Sequence, residues 1–121
     1  MPVDMEHIAA VTGKMLNYRL YVVFSRGKGL DLRPHLLEHL NYMVSIEKAG
    51  KLFASGPMGE PGSGKGMTIL RVADEAEARE IASKDPFILN NLREFTIEPW
   101  TIMEGSVNIS VQFSDASMRV S

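Results

Sequence analysis

There is no cysteine among the 121 residues of this chain. Disulfides, thiolate catalysis and cysteine-ligated zinc or iron–sulfur sites therefore lie outside its chemistry. Charge of either sign is not in surplus. Thirteen basic against fifteen acidic residues give a formal charge of -2, and no Lys/Arg cluster runs along the chain to track a phosphate backbone, so nucleic acid is not an expected partner. No apolar run approaches the ~20 residues of a membrane-spanning helix. The segment from Met1 to Asn17 carries Asp4 and Glu6 where a signal peptide would have a basic start followed by an apolar stretch. These absences predict a cytoplasmic protein with no membrane partner.

What is present reads as one small α+β domain. A chain of this length buries roughly two thirds of its unfolded surface and needs no metal or cross-link to fold. Leu20 to Phe24 is rich in β-branched and aromatic residues and is stopped by Arg26-Gly27-Lys28-Gly29, which predicts a buried first strand. From Arg33 a helix is expected, with Leu36, Leu37, Leu40, Met43, Val44 and the stem of Glu47 on its apolar side, and Gly50 as its stop. Lys51 to Ser55 is the expected second strand, closed by Gly56-Pro57. Met58 to Lys65 reads as a glycine-rich hairpin loop, and Gly66 to Ala73 as the third strand. Asp74 and Glu77 have capping-box spacing at the head of a second helix that runs to about Lys84, where Asp85-Pro86 ends it. Phe95 to Met103 is the fourth strand, and Pro99 within it argues for an edge position or a bulge. Beyond Gly105, the alternation of Val107, Ile109, Val111 and Phe113 with polar residues predicts a further strand with one buried face.

His39 on the first helix, eleven residues before Gly50, then Gly56-Pro57, then Asp85-Pro86-Phe87, and finally Pro99-Trp100 occur in one order. That order resembles the YCII-related domain family, a branch of the dimeric α+β barrel superfamily that also holds proteins of the muconolactone isomerase and chloromuconolactone dehalogenase type. The resemblance runs from about Leu20 to Trp100. It implies a ferredoxin-like βαββαβ fold, a homodimer or higher homo-oligomer, and a His–Asp site formed by His39 and Asp85. Division of the chain follows: residues 1–18 as an N-terminal extension, 19–103 as the YCII-related domain, and 104–121 as an additional C-terminal strand and tail.

Several residues are candidates for chemistry. His39 falls at the border of the helix's apolar face, on one stripe with His35 and Tyr42. Taken alone it reads as an amphipathic surface residue; with the family pattern it becomes a proton carrier. Asp85 either caps local backbone, as Asp before Pro commonly does, or accepts the imidazole N–H and fixes its tautomer. Ser55 either offers its hydroxyl to substrate or satisfies the strand end. Arg33 either clamps a substrate carboxylate or phenolate or stays a solvated charge. Tyr21 is an equally open substrate contact, and Phe87 reads as an apolar wall.

Two motifs mislead. Gly59-Glu60-Pro61-Gly62-Ser63-Gly64-Lys65 spells the start of a phosphate-binding loop, but Gly66 stands where Ser or Thr is required and a strand follows where a helix must. His35 and His39 have metal-ligand spacing on a helix, yet no third ligand is specified. The expectation is a cofactor-independent lyase or isomerase, dehydrochlorinase-like, acting on a small cyclic carbonyl or hydroxylated ring compound. The rival is a small-ligand-binding or regulatory module on the same scaffold.

Overall fold

A computed structural model describes residues 2–121. The chain divides into two compact units. One is Arg19–Thr101, and the other comprises the two ends of the chain, up to Tyr18 and from Ile102 onward.

In the larger unit a four-stranded sheet is built from β1 (Tyr18–Gly27), β2 (Leu52–Met58), β3 (Lys65–Leu70) and β4 (Arg93–Ile102), in the spatial order β2-β3-β1-β4. β3 pairs antiparallel with both β1 and β2. Helix α2 (Leu36–Lys48), entered through a 3-10 turn at Arg33–His35, links β1 to β2. Helix α3 (Glu75–Ser83) and the short α4 (Pro86–Leu89) link β3 to β4. This is the expected ferredoxin-like βαββαβ order. Pro57 and Pro99 both lie within strands, and both strands are edges of the sheet, where a missing N–H breaks no ladder. β2 thus runs on to Met58 through Gly56-Pro57, the pair at which the sequence reading closed it.

Local chemistry explains the element ends. Asp74 accepts the Glu77 N–H at 2.9 Å, and the Glu77 carboxylate reaches back past the cap residue to the Ala73 N–H at 3.1 Å, so the expected spacing caps both ways with the return bond shifted by one residue. Gly50 has φ of +77° and turns the chain out of α2. The core gathers Val23, Leu70, Ile46 of α2 and Ala78 and Ala82 of α3, with Tyr21, Tyr42, Met43 and Phe95 packed against them.

The expected buried side of α2 is corrected. Leu37 is 70% exposed, and Leu36, Leu40 and Val44 are also exposed, whereas Ile46 is buried and His39, Tyr42 and Met43 are half-buried. The helix is turned toward its polar-tipped residues: the Tyr42 hydroxyl donates to the Ile81 carbonyl at 2.6 Å and His39 meets Asp85. Two directional bonds, to α3 and to the cap of α4, set a rotation that hydrophobicity alone would place elsewhere.

The unit formed by the chain ends holds helix α1 (Met5–Thr12), capped by Asp4, whose carboxylate accepts the His7 N–H at 2.9 Å. It also holds a hairpin of β5 (Ile109–Gln112) and β6 (Ser117–Val120). The single C-terminal strand of the sequence reading is corrected here, since the segment folds back on itself. Asp115 accepts the Ser117 N–H at 3.0 Å and Ala116 takes φ of +55°, which reverses the chain before Ser117. The four apolar residues expected to be covered, Val107, Ile109, Val111 and Phe113, are all exposed.

Candidate active site

The first residue of the site to be fixed is Asp85. It caps α4, its Oδ1 accepting the Phe87 N–H at 2.9 Å, and Pro86 at the first helical position needs no partner for the N–H it lacks. The same Oδ1 lies 2.8 Å from His39 Nδ1 across 46 residues of sequence. Both side chains are more than four-fifths buried, at 16% and 17% exposure. An ionised carboxylate only accepts, so Nδ1 carries the proton in this pair and Nε2 is left with a lone pair in the neutral ring. No hydrogen bond engages Nε2 among the described residues. The imidazole also stacks on Phe87, with ring centroids 4.2 Å apart and planes 14° from parallel. Phe87 is itself 1% exposed and immobilised by its packing. The ring of His39 is thus held by a hydrogen bond at one nitrogen and by a flat surface along its face.

These groups line a cavity of about 420 Å³ between α2 and the helix-facing side of the sheet, together with Leu36, Leu40, Ser55, Thr68 and Arg93. Ser25, next to Val23 on the same strand face, also reaches it. The volume suits a single substituted ring. Tyr42, behind the wall, has its phenol pushed above the usual tyrosine range, first by burial and then by the negative charges of Asp85 and Glu80. It remains a neutral donor to Ile81.

Of the residues singled out in sequence, His39, Asp85, Ser55 and Phe87 come together at this cavity. Two do not. Tyr21 packs into the core beside Leu70, because it stands on β1 four residues before Ser25, the residue of that strand that reaches the cavity. Arg33 is exposed and forms a two-point ion pair with Asp31, Nε to Oδ1 and Nη2 to Oδ2 both at 3.0 Å. The near neighbour two residues away captures it, and burial plays no part; its pKa is raised by that bond. Arg33 borders instead a hollow of about 650 Å³ under the glycine-rich loop, which adjoins the His39 cavity at Pro57 and Arg93. His35 is likewise diverted, to Glu38 at 3.4 Å, and shares nothing with His39.

The residue that sequence reading missed is Arg93. It opens β4, borders the His39 cavity, and sets its guanidinium carbon 4.7 Å from the Phe87 ring centroid. The strand alternation of Arg93, Phe95 and Ile97 is the one signal that placed it on the helix-facing side.

The family model for the YCII-related domain matches residues 20–101. Among solved structures, 5-chloro-2-hydroxyhydroquinone dehydrochlorinase from Burkholderia phenoliruptrix, in complex with 2,5-dihydroxybenzoquinone, superimposes with a TM-score of 0.56 at 17% identity, covering 67% of this chain and 92% of that one. At that identity the likeness establishes a shared fold. No curated protein matches the chain.

Proposed function

The chain belongs to the YCII-related domain family, and from that premise we propose that it is a cofactor-independent lyase or isomerase that moves a proton on a small cyclic carbonyl or hydroxylated ring compound. The observation that carries this reading is the 2.8 Å pairing of His39 with Asp85 at the wall of a cavity of ring-compound size. In this reading Nε2 of His39 takes a proton from substrate, the resulting imidazolium is stabilised by Asp85, and Phe87 keeps the ring in register with the cavity. Where the substrate carries chloride on the carbon next to the acidic C–H, the electron pair left by the proton forms the new double bond. Chloride then departs with the electrons of its own bond, so that HCl is lost overall. Where no leaving group is present, return of the proton at another carbon gives an isomer. The dehydrochlorinase bound to a dihydroxybenzoquinone, on the same fold, supports the choice of ring compounds.

The sheet side away from the helices supports the proposal of a homodimer. Phe24 and Trp100 are exposed there, beside Val22, Met67 and Ile69, around a shallow apolar hollow. Light scattering tests the dimer independently of activity.

Turnover of lactones, chlorinated hydroquinones and related ring compounds, measured for the native protein and for His39→Ala, tests the catalytic reading. A substrate turned over by the native protein alone is the expected result. A substrate turned over equally by both proteins would rule His39 out as the proton carrier, and ring compounds that bind without turnover would favour the ligand-binding module.

A further inference from the structure

Arg93 is a cation without a counterion. No carboxylate lies within ion-pair distance of it among the described residues, although seven other acid–base pairs form in the structure. Its Nε is fully buried and has no hydrogen-bond partner. Its one polar contact, from Nη1 to Ser25 Oγ, is 3.4 Å long, at the outer limit of a hydrogen bond. Burial pulls its pKa down from the ordinary arginine value, and the only opposing influence is the charge of Asp85. Asp85 commits its Oδ1 to His39 and the Phe87 N–H and comes within ion-pair distance of Arg93 with neither oxygen. A guanidinium nonetheless stays protonated in proteins. Holding it half-buried and unmatched is costly unless something supplies a negative charge.

The surroundings leave room for that charge on the cavity side. Gly66 lies beside the guanidinium, and a Cβ there would stand 3.2 Å from Arg93 Nη1 and 3.2 Å from Ser25 Oγ. Its backbone is not in the left-handed region, so the missing side chain serves space rather than conformation. Arg93, Ser25, His39 and Asp85 all border the same cavity.

We propose that Arg93 is the anion-binding residue of this cavity, and that the ligand it selects is a small ring compound bearing a negatively charged oxygen, a phenolate or enolate, held by Arg93 and Ser25 while His39 faces the proton to be moved. This rests on the cavity being the site described above and extends it from a neutral ring compound to an anionic one. It also assigns to Arg93 the role that the sequence pattern offered to Arg33.

Two probes of nearly equal shape test it, 4-nitrophenol, which ionises near neutral pH, and 4-nitroanisole, which does not ionise. Binding is followed calorimetrically, and the ionisation of bound nitrophenol by its visible absorbance. The native protein should prefer the phenolate by roughly 10- to 100-fold, as expected of a charge-assisted hydrogen bond, and bound nitrophenol should ionise at lower pH than free. Arg93→Gln should abolish both effects, Arg93→Lys should keep part of the preference, and Gly66→Ala, which crowds the guanidinium without removing charge, should weaken it. Circular dichroism establishes that each variant is folded. Equal affinity of the native protein for the two probes, including no detectable binding of either, overturns the proposal, as does an Arg93→Gln protein with the preference intact. His39→Ala separates the two readings. If it loses turnover but keeps the anion preference, both stand; if it loses the preference, the imidazole and not Arg93 holds the anion. If it keeps turnover, the proton-transfer reading fails while the anion site survives.

Discussion

The His39 cavity adjoins the hollow under the glycine-rich loop from Gly59 to Gly64, and both regions carry what reads as a functional motif. They are built in opposite ways. The loop's residues are contiguous, and the structure spends them on a hairpin: Gly59, Gly62 and Gly64 take φ of +75°, +85° and +75°, and the Ser63 hydroxyl turns back to the Met58 carbonyl at 2.5 Å. Strand β3 and not a helix follows the loop, so no helix N-terminus stands behind it to hold a phosphate. The cavity's residues are scattered over α2, β1, β2, α4 and β4, and the structure brings them within bonding distance. A short stretch that spells a site thus makes a turn, and separated residues make the candidate site.

Substitutions of comparable size in the two regions should separate sharply. The largest expected effect is that of His39→Ala, which should lower turnover of an identified substrate by ~10²–10⁴-fold, in a protein whose circular dichroism is unchanged. Asp85→Ala comes next and should act twice, because one carboxylate oxygen both caps α4 and orients the imidazole. Activity should fall together with about 1–2 kcal/mol of stability, the usual worth of an N-cap, read from urea denaturation. Activity lost with full stability would mean that the cap is not needed to hold the short helix.

Tyr42→Phe has a smaller and pH-dependent effect. Removing the bond to Ile81 should cost about 1 kcal/mol at neutral pH. The phenol's pKa in the folded protein is raised above its ordinary value of 10.0, so its contribution is complete below that pH and is lost as pH rises through the raised value. The native protein should therefore lose stability on the alkaline side, and the phenylalanine variant should lack this component. Parallel alkaline curves for the two proteins would rule Tyr42 out as its source. Smallest of all is Lys65→Ala in the loop, which should leave activity and melting temperature nearly unchanged, with ATP giving no thermal shift in either protein. A saturable shift lost in the variant would restore the nucleotide motif and erase the contrast.

The contrast also accounts for what was legible in sequence. Element order, the capping box at Asp74 and Glu77, the stop at Gly50 and the edge position of Pro99 depend on local chemistry, and each is found in place. The pairing of His39 with Asp85 became legible only through the family order of motifs. Three features escaped for one reason, that a side chain's nearest partner was not a sequence neighbour or was an unexpected one. The leucines of α2 outweigh Tyr42 and His39 on a helical wheel, but the two polar tips find partners on α3 and at the head of α4 and rotate the helix toward them. Arg33 has an aspartate two residues away and is satisfied there. Arg93 looks like any strand-end charge until the sheet turns it toward Phe87. At the C-terminus, alternation identified extended structure correctly, but the turn at Asp115-Ala116 gave it a partner of its own.

The two prolines on the sheet's outer strands reach beyond this chain. With β2 and β4 as its rims, and a residue in each that has no N–H to donate, the four-stranded sheet lacks a continuous ladder on which a foreign strand can grow. Concentrated protein or a partly unfolded neighbour is thereby denied the simplest route to edge-to-edge ribbons. In the homodimer proposed above, the second copy would meet the flat side of this sheet through side-chain packing that closes on itself, a finite assembly rather than a fibre.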